Sequence, residues 1–339
     1  MIISAPALKE GYQARPCYLE DAPAVVELMN ICSMDSIGEA DNHLEELISE
    51  WKTPGFDLPA SQRIVIAPDG RVVAWIEVWS TLPVVPHMDL YVHPDFRSEG
   101  IGEYLLEWSL SRARECIALA PENARVAMRA DLYQQDVWYR ALYETAGLQI
   151  IRHYYRMEID LQQPLLTPTS LPGITIRNYT PADDLRAILH VNRDSFQDHF
   201  GYIDQPFEQH YTKWLHEWQG DSPIEPDLWF LALDGDYIVG ILLGKPHQQG
   251  DADMGWISTV GVRRDYRRRG IAKALLLHAF QAFRHRGKKR VGLGVDASSI
   301  TGATEVYRQV GMEVTVRFDS FELELRGGVD LSRQDNDGE

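Results

Sequence analysis

The chain repeats itself at half its length. In 339 residues, Val262-Arg263-Arg264-Asp265-Tyr266-Arg267-Arg268-Arg269-Gly270-Ile271-Ala272 and Val92-His93-Pro94-Asp95-Phe96-Arg97-Ser98-Glu99-Gly100-Ile101-Gly102 share one layout: valine, four residues, arginine, two residues, glycine, one residue, a small residue. Arg97 and Arg267 stand 170 residues apart. A repeat of this period points to two copies of one folding plan in tandem, and the length gives each copy enough residues for its own core.

In the second copy an apolar strand with Trp256, Ile257, Val260 and Val262 breaks into the glycine-bearing turn, and an amphipathic helix follows with Leu275, Leu276, Ala279, Phe280 and Phe283 at helical spacing. Backbone N–H groups at such a helix start, with a glycine allowing close approach, form an anion cradle. Five arginines lie within the seven residues 263–269. A plain strand-to-helix turn with solvated arginines is the alternative, and the repetition argues against it.

The rest of each copy matches. A strand ending at Arg15 leads into an acidic helix start at Tyr18-Leu19-Glu20-Asp21; Ile174 to Arg177 leads into Thr180-Pro181-Ala182-Asp183, read as a helix start capped by Thr180. Hairpins turn at Pro68-Asp69-Gly70 and at Asp234-Gly235-Asp236. Strands at 125–130 and 290–295 precede helices that stop at Gly147 and Gly311, and last strands at about 149–161 and 313–325 are expected to close their own halves. Residues 162–173, with Pro164, Pro168 and Pro172, read as a linker between domains 1–161 and 174–326, and 327–339 as a disordered tail. The aromatic segment 194–226 reads mainly as core, with a substrate wall as the alternative.

Composition narrows the class. A net charge of −17 argues against a broad nucleic-acid-binding face and is compatible with a cationic or amine substrate. The chain has no run of eighteen apolar residues and no signal-like N-terminus, so a cytoplasmic protein without membrane attachment is expected. Cys17, Cys32 and Cys116 are too few and too scattered for a disulfide framework or metal site and read as small buried residues.

The order strand, helix, hairpin, strand, R-x-x-G-x-G/A loop, helix, strand, and a helix carrying Leu/Val-Tyr-x-x-x-Gly resembles the GNAT family of acyl-CoA-dependent N-acetyltransferases, twice over. The resemblance covers nearly the whole chain. It implies an α/β (α+β) chain of two tandem GNAT folds, each a mixed, mostly antiparallel twisted sheet splayed at the acyl-CoA slot and flanked by helices. The layout with Thr301-Gly302-Ala303 is similar to the two-domain mycothiol synthase type, but Ser299-Ile300 replaces that group's Asn-Pro and Met312 follows Gly311 in place of Phe. The architecture is therefore carried over and the substrate is not.

The resemblance implies acetyl-CoA as cosubstrate, no metal, and a small-molecule amine as acceptor. The N–H groups of Arg268, Arg269, Gly270, Ile271 and Ala272 would hold the pyrophosphate, with the Arg267 side chain shaping the loop. Val260, Gly261 and Val262 would carry the strand edge that pairs with the pantetheine arm. Leu90, Tyr91, Val92, Arg97, Ser98, Glu99, Gly100, Ile101 and Gly102 correspond in the first half. The Val260 N–H would polarise the thioester carbonyl and Tyr307 would protonate the leaving thiolate, with Tyr143 its first-half counterpart. Asp253 is the nearest carboxylate upstream of Val260 and is taken as candidate base, a solvated turn residue being the alternative; Asp89 is its counterpart. The more basic loop makes the second half the expected catalytic one, while Glu99 weakens the first. The competing reading is an acyl-CoA-binding sensor with little turnover. A monomer and a homodimer both fit.

Overall fold

The computed structural model describes residues 7–40, 42–53, 55–80, 82–168, 170–219, 224–248, 251–299 and 301–331. The chain divides into two compact units: one runs to His153 and takes back Phe318–Leu331, and the other is Tyr154–Arg317.

The N-terminal unit begins with β1 (Gln13–Pro16), α1 (Ala22–Ile37), α2 (Leu44–Trp51) and the single turn α3 (Leu58–Ser61). Then come β2 (Gln62–Ile66), β3 (Val72–Trp79), β4 (His87–Val92), α4 (Ile101–Leu119), β5 (Val126–Tyr133), α5 (Val137–Thr145) and β6 (Gln149–Asp160), which belongs to the second unit from Tyr154 on. The second half of the chain repeats the order as β7 (Ile174–Asn178), α6 (Leu185–Phe196), α7 (Phe207–Gln219), β8 (Trp229–Asp234), β9 (Tyr237–Lys245), β10 (Met254–Val262), α8 (Ile271–His285), β11 (Arg290–Asp296), α9 (Ala303–Gln309) and β12 (Glu313–Arg326), the last belonging to the first unit from Phe318 on.

Both hairpins form where expected, with Gly70 at φ +89° and Gly235 at φ +59° supplying the left-handed turn residue. In each unit the hairpin continues antiparallel into β4 or β10, which then runs parallel to β5 or β11. The long helix after the loop packs on this sheet. In the second unit α8 comes so close that a Cβ on Gly255 would lie 2.3 Å from the Phe283 ring. Leu275, Leu276, Ala279, Phe280 and Phe283 are fully buried there with Val291 and Leu293, as the helical spacing demands. Trp214 and Trp218 of the aromatic segment are core, packed on Trp229.

The structure departs from expectation at three places. The helix after β7 starts at Leu185, capped by Asp184, not at Thr180. Asp183 is drawn back instead, accepting from the Thr180 backbone N–H and from both terminal nitrogens of Arg177, which closes a separate turn. The last strands do not close their own halves: β12 pairs antiparallel with β5 through Phe318–Arg326, and β6 pairs antiparallel with β11 through Tyr154–Asp160. Part of the expected tail is also bonded, since Val329 accepts from Arg125 N at 2.8 Å and donates to Asn123 O at 2.8 Å. Residues 332–339 lie outside the described residues.

Candidate active site

The site in the second unit starts from a parting of strands. β10 and β11 are paired only from Met254 to Trp256. At a bulge between Ile257 and Thr259 the register of β10 shifts, and from there to Val262 it pairs with β9 alone, while β11 stays on β6 to Asp296. The two strands therefore diverge into a wedge. Arg263 N donates to Val239 O at 2.9 Å, so Arg263 and Gly261 face β9. By antiparallel alternation the N–H and C=O groups of Val260 and Val262 face the wedge.

The loop beyond Val262 is held by its side chains and left open by its backbone. Arg267 bonds Asp198 through both terminal nitrogens and reaches Ser195 O at 2.9 Å. Arg264 bonds Gln197, Arg263 bonds Ile238 O, and Arg269 lies over the Tyr266 ring. Arg268 at φ +61° and Gly270 at φ +80° both adopt left-handed backbone, a concave conformation suited to an anion. Among the described residues, the N–H groups of Arg268, Arg269 and Gly270 make no hydrogen bond. Ile271 and Ala272 open α8, where helix geometry leaves the amides free. The expected division of labour, side chains shaping and backbone binding, fits this geometry.

Tyr307 lies on α9, 8% exposed, its hydroxyl free of protein partners among the described residues. Burial pushes its pKa up to about 12, so it stays protonated. Gly311, at φ +95°, ends this helix, and Met312 N returns to Tyr307 O at 3.0 Å. The segment Ser299-Ile300 falls partly outside the described residues, at Ile300.

Asp253, the expected base, stands apart from Val260. It precedes β10, seven positions before Val260, roughly 20 Å along an extended strand. Its carboxylate pairs with Lys289 Nζ at 2.7 Å and is half exposed. The solvated-turn reading describes it better.

The first unit has the same wedge, filled by its own side chain. β4 pairs with β5 only at His87. His93 N donates to Val73 O at 2.9 Å, so Leu90 and Val92 present their backbone groups to the open side. There the Val92 N–H donates to the Tyr139 hydroxyl at 2.8 Å, and that hydroxyl lies 3.3 Å from Val92 O. Trp138, beside it, packs so closely that a Cβ on Gly102 would lie 2.6 Å from its ring. Arg97 sits over both aromatic rings and pairs with Asp35 at 2.7 Å. The loop itself winds into 3₁₀ turns over Pro94–Glu99, where Asp95 N donates to His93 Nδ1 at 3.2 Å and Phe96 N to His93 O at 2.9 Å, and Glu99 pairs with Lys9. Of the expected cofactor contacts at Leu90, Tyr91, Val92, Arg97, Ser98, Glu99, Gly100, Ile101 and Gly102, the Val92 edge is bonded to Tyr139, Arg97 and Glu99 are paired with Asp35 and Lys9, and Gly102 lies against Trp138.

Asp89 accepts from Trp79 Nε1 at 3.0 Å, and burial raises its pKa to about 6 despite that bond. Tyr143 is fully buried. Tyr139 and Trp138 escaped the sequence reading, although counting back from the motif tyrosine sets them against Ala303 and Gly302. Ser195 and Asp198 carried no local signal, since their roles come only from the packing of α6 on β10.

Among the described residues no helix is long and apolar enough to cross a membrane, and no group of three or more His, Cys, Asp or Glu could hold a metal ion. Cys17 and Cys32 are buried and all three cysteines are free.

Known proteins agree with this double plan. The family model described as "Acetyltransferase (GNAT) family" matches residues 187–312, and one described as "Acetyltransferase (GNAT) domain" matches 60–147. A mycothiol acetyltransferase of Saccharomonospora viridis is 30% identical over 233 residues, covering 66% of this chain and 70% of that protein. One from Salinispora arenicola is 27% identical over 303 residues, covering 86% and 90%. The crystal structure of a GCN5-related N-acetyltransferase from Sphaerobacter thermophilus superposes with a TM-score of 0.82 at 35% identity, covering 97% of this chain and 100% of that one. Acetyl-CoA is the acyl donor of this family, and the open wedge, unbonded loop amides and partner-free tyrosine of the second unit fit such a ligand. With two copies of the fold in one polypeptide, the chain belongs to the GNAT family of acetyltransferases.

Proposed function

We propose that the C-terminal unit transfers the acetyl group of acetyl-CoA to a primary amine of a small molecule, and that the N-terminal unit holds no cofactor. The observation that carries this assignment is the contrast at one backbone position: Val92 is capped by Tyr139, whereas Val262 has no side-chain partner among the described residues and Ala303 stands in the place of the tyrosine. The small-molecule amine is the acceptor class suggested by the relatives named mycothiol acetyltransferases.

Acetyl-CoA, when bound, supplies an activated thioester. The loop amides of Arg268–Ala272 would fix the pyrophosphate, and the edge of Val260 and Val262 would pair with the pantetheine arm as an added strand does. The Val260 N–H, pointing into the wedge, would stabilise negative charge on the carbonyl oxygen as the amine attacks. Tyr307, protonated at neutral pH, would hand its proton to the departing sulfur.

Acetyl-CoA turnover with a panel of amines tests the assignment. Tyr307→Phe is expected to lower kcat by about a hundredfold with little change in acetyl-CoA affinity, Tyr143→Phe to retain turnover, and calorimetry to give one coenzyme A per chain. Two per chain, or loss of activity in Tyr143→Phe alone, would overturn it. Binding without turnover of any amine would favour the sensor.

A further inference from the structure

Ser195 carries an incomplete set of bonds. The residue is 4% exposed, its Oγ has no hydrogen-bond partner, and a Cβ on Gly261 would lie 3.0 Å from that oxygen. Gly261 is the residue between the two that face the wedge. A hydroxyl buried without a partner is unfavourable in the empty protein and becomes an asset when a ligand supplies one.

The N-terminal unit shows the same corner completed. Cys32 holds the corresponding position, three residues before the aspartate that pairs with the motif arginine: Asp35 with Arg97, as Asp198 with Arg267. Cys32 Sγ lies 3.4 Å from Val92 O and 3.9 Å from the Tyr139 hydroxyl, which also takes the Val92 N–H. The residue at this position of the first helix, the N–H and the C=O of the last strand residue thus converge on one polar oxygen. In the C-terminal unit three of these groups remain, as Ser195 Oγ and the N–H and C=O of Val262. The fourth is gone, because α9 begins with Ala303.

We propose that the Ser195 hydroxyl binds the pantetheine arm of the cofactor, bonding the amide or hydroxyl group that comes to rest where the Tyr139 oxygen sits in the other unit. An amide of the arm offers both a donor and an acceptor, and a hydroxyl can meet either. Tyr139 is then an internal likeness of a bound ligand. This inference rests on the reading of the C-terminal unit as the acyl-CoA site.

The test is calorimetry on the full chain with coenzyme A and with adenosine 3′,5′-diphosphate, which lacks the arm, alongside thermal melts without ligand. Ser195→Ala is expected to weaken coenzyme A by about tenfold, the order of one hydrogen bond, to leave the nucleotide unchanged, and to keep or raise the melting temperature of the empty protein. Equal weakening of both ligands would mean that Ser195 only supports the loop, and unchanged binding of both would mean that it holds water; either overturns the inference. Ala303→Tyr, which restores the plug, separates this failure from that of the wider assignment. If it abolishes coenzyme A binding in a protein that melts normally while Ser195→Ala does nothing, the site stands and Ser195 does not belong to it. If it binds coenzyme A as before, the site itself is misassigned.

Discussion

The hydroxyl of Tyr139 accepts the amide hydrogen of Val92 at 2.8 Å, and by this bond one unit closes the strand edge that the other leaves open. Tyr139→Phe keeps the ring and removes the oxygen, so the buried Val92 N–H loses its acceptor. A stability loss of about 1–3 kcal/mol in urea unfolding is expected, with coenzyme A affinity and stoichiometry unchanged. A loss well below that range would show that the bond is not formed in solution.

The loop in the second unit makes a separate demand. Gly270 sits at φ +80°, which proline, fixed near −65°, does not reach. Arg269 is exposed and rests on Tyr266. Gly270→Pro should therefore weaken coenzyme A by about a hundredfold or more through the lost amide cradle, and Arg269→Ala by only a few-fold. Calorimetry giving the opposite ranking would return the binding role to the arginine side chains.

Features set by chemistry within a few residues were legible in the sequence. Gly70, Gly235 and Gly311 stand where the backbone must be left-handed, and the apolar stripe from Leu275 to Phe283 lies on the sheet as its period requires. The start of α6 was misplaced because the Asp183 carboxylate answers to Arg177, a partner in the preceding strand. The plug was open to reading by setting Trp138 and Tyr139 against Gly302 and Ala303. Asp253 is near Val260 in sequence, but nearness along a strand means distance in space. The exchange of β6 and β12 left no mark, because an alternating strand does not state which neighbour it joins.

Arg177 and Asp183 recur as Arg15 and Asp21, each arginine six residues before its aspartate, tying a strand to the turn that follows it. The bond from Arg177 holds the Asp183 carboxyl down at about 2 against the opposing effect of burial, and the Thr180 N–H and hydroxyl help. A folded-state pKa below the ordinary 3.8 means that the folded protein takes up this proton less readily than the unfolded chain. The contribution is complete above about pH 4 and lost as pH falls toward 2. Asp183→Asn should cost about 1 kcal/mol near pH 7, this being a partly exposed pair, and the gap to wild type should close between pH 4 and 2. Denaturant melts across that range check it; a constant gap would assign the effect to packing.

The exchanged strands bind the two sequence halves into one folding problem. Glu322 of β12 reaches Arg125 at 2.6 Å and Arg129 at 2.9 Å, both on the neighbouring chain segment that carries β5, and burial, which alone would raise its pKa, is outweighed by these two cations. Phe321, next to it, is fully buried against Tyr143. Glu322→Ala leaves Arg129 without this carboxylate in a buried setting and should cost about 3–5 kcal/mol. A stronger outcome is expected when the chain is divided between 161 and 174. The first piece then lacks the strand that satisfies the β5 edge and supplies Phe321, so it should not give a cooperative melt alone, while the two pieces produced together should assemble into one species by size-exclusion chromatography. A first piece that folds cooperatively by itself would show that the exchanged strand contributes little to the N-terminal core.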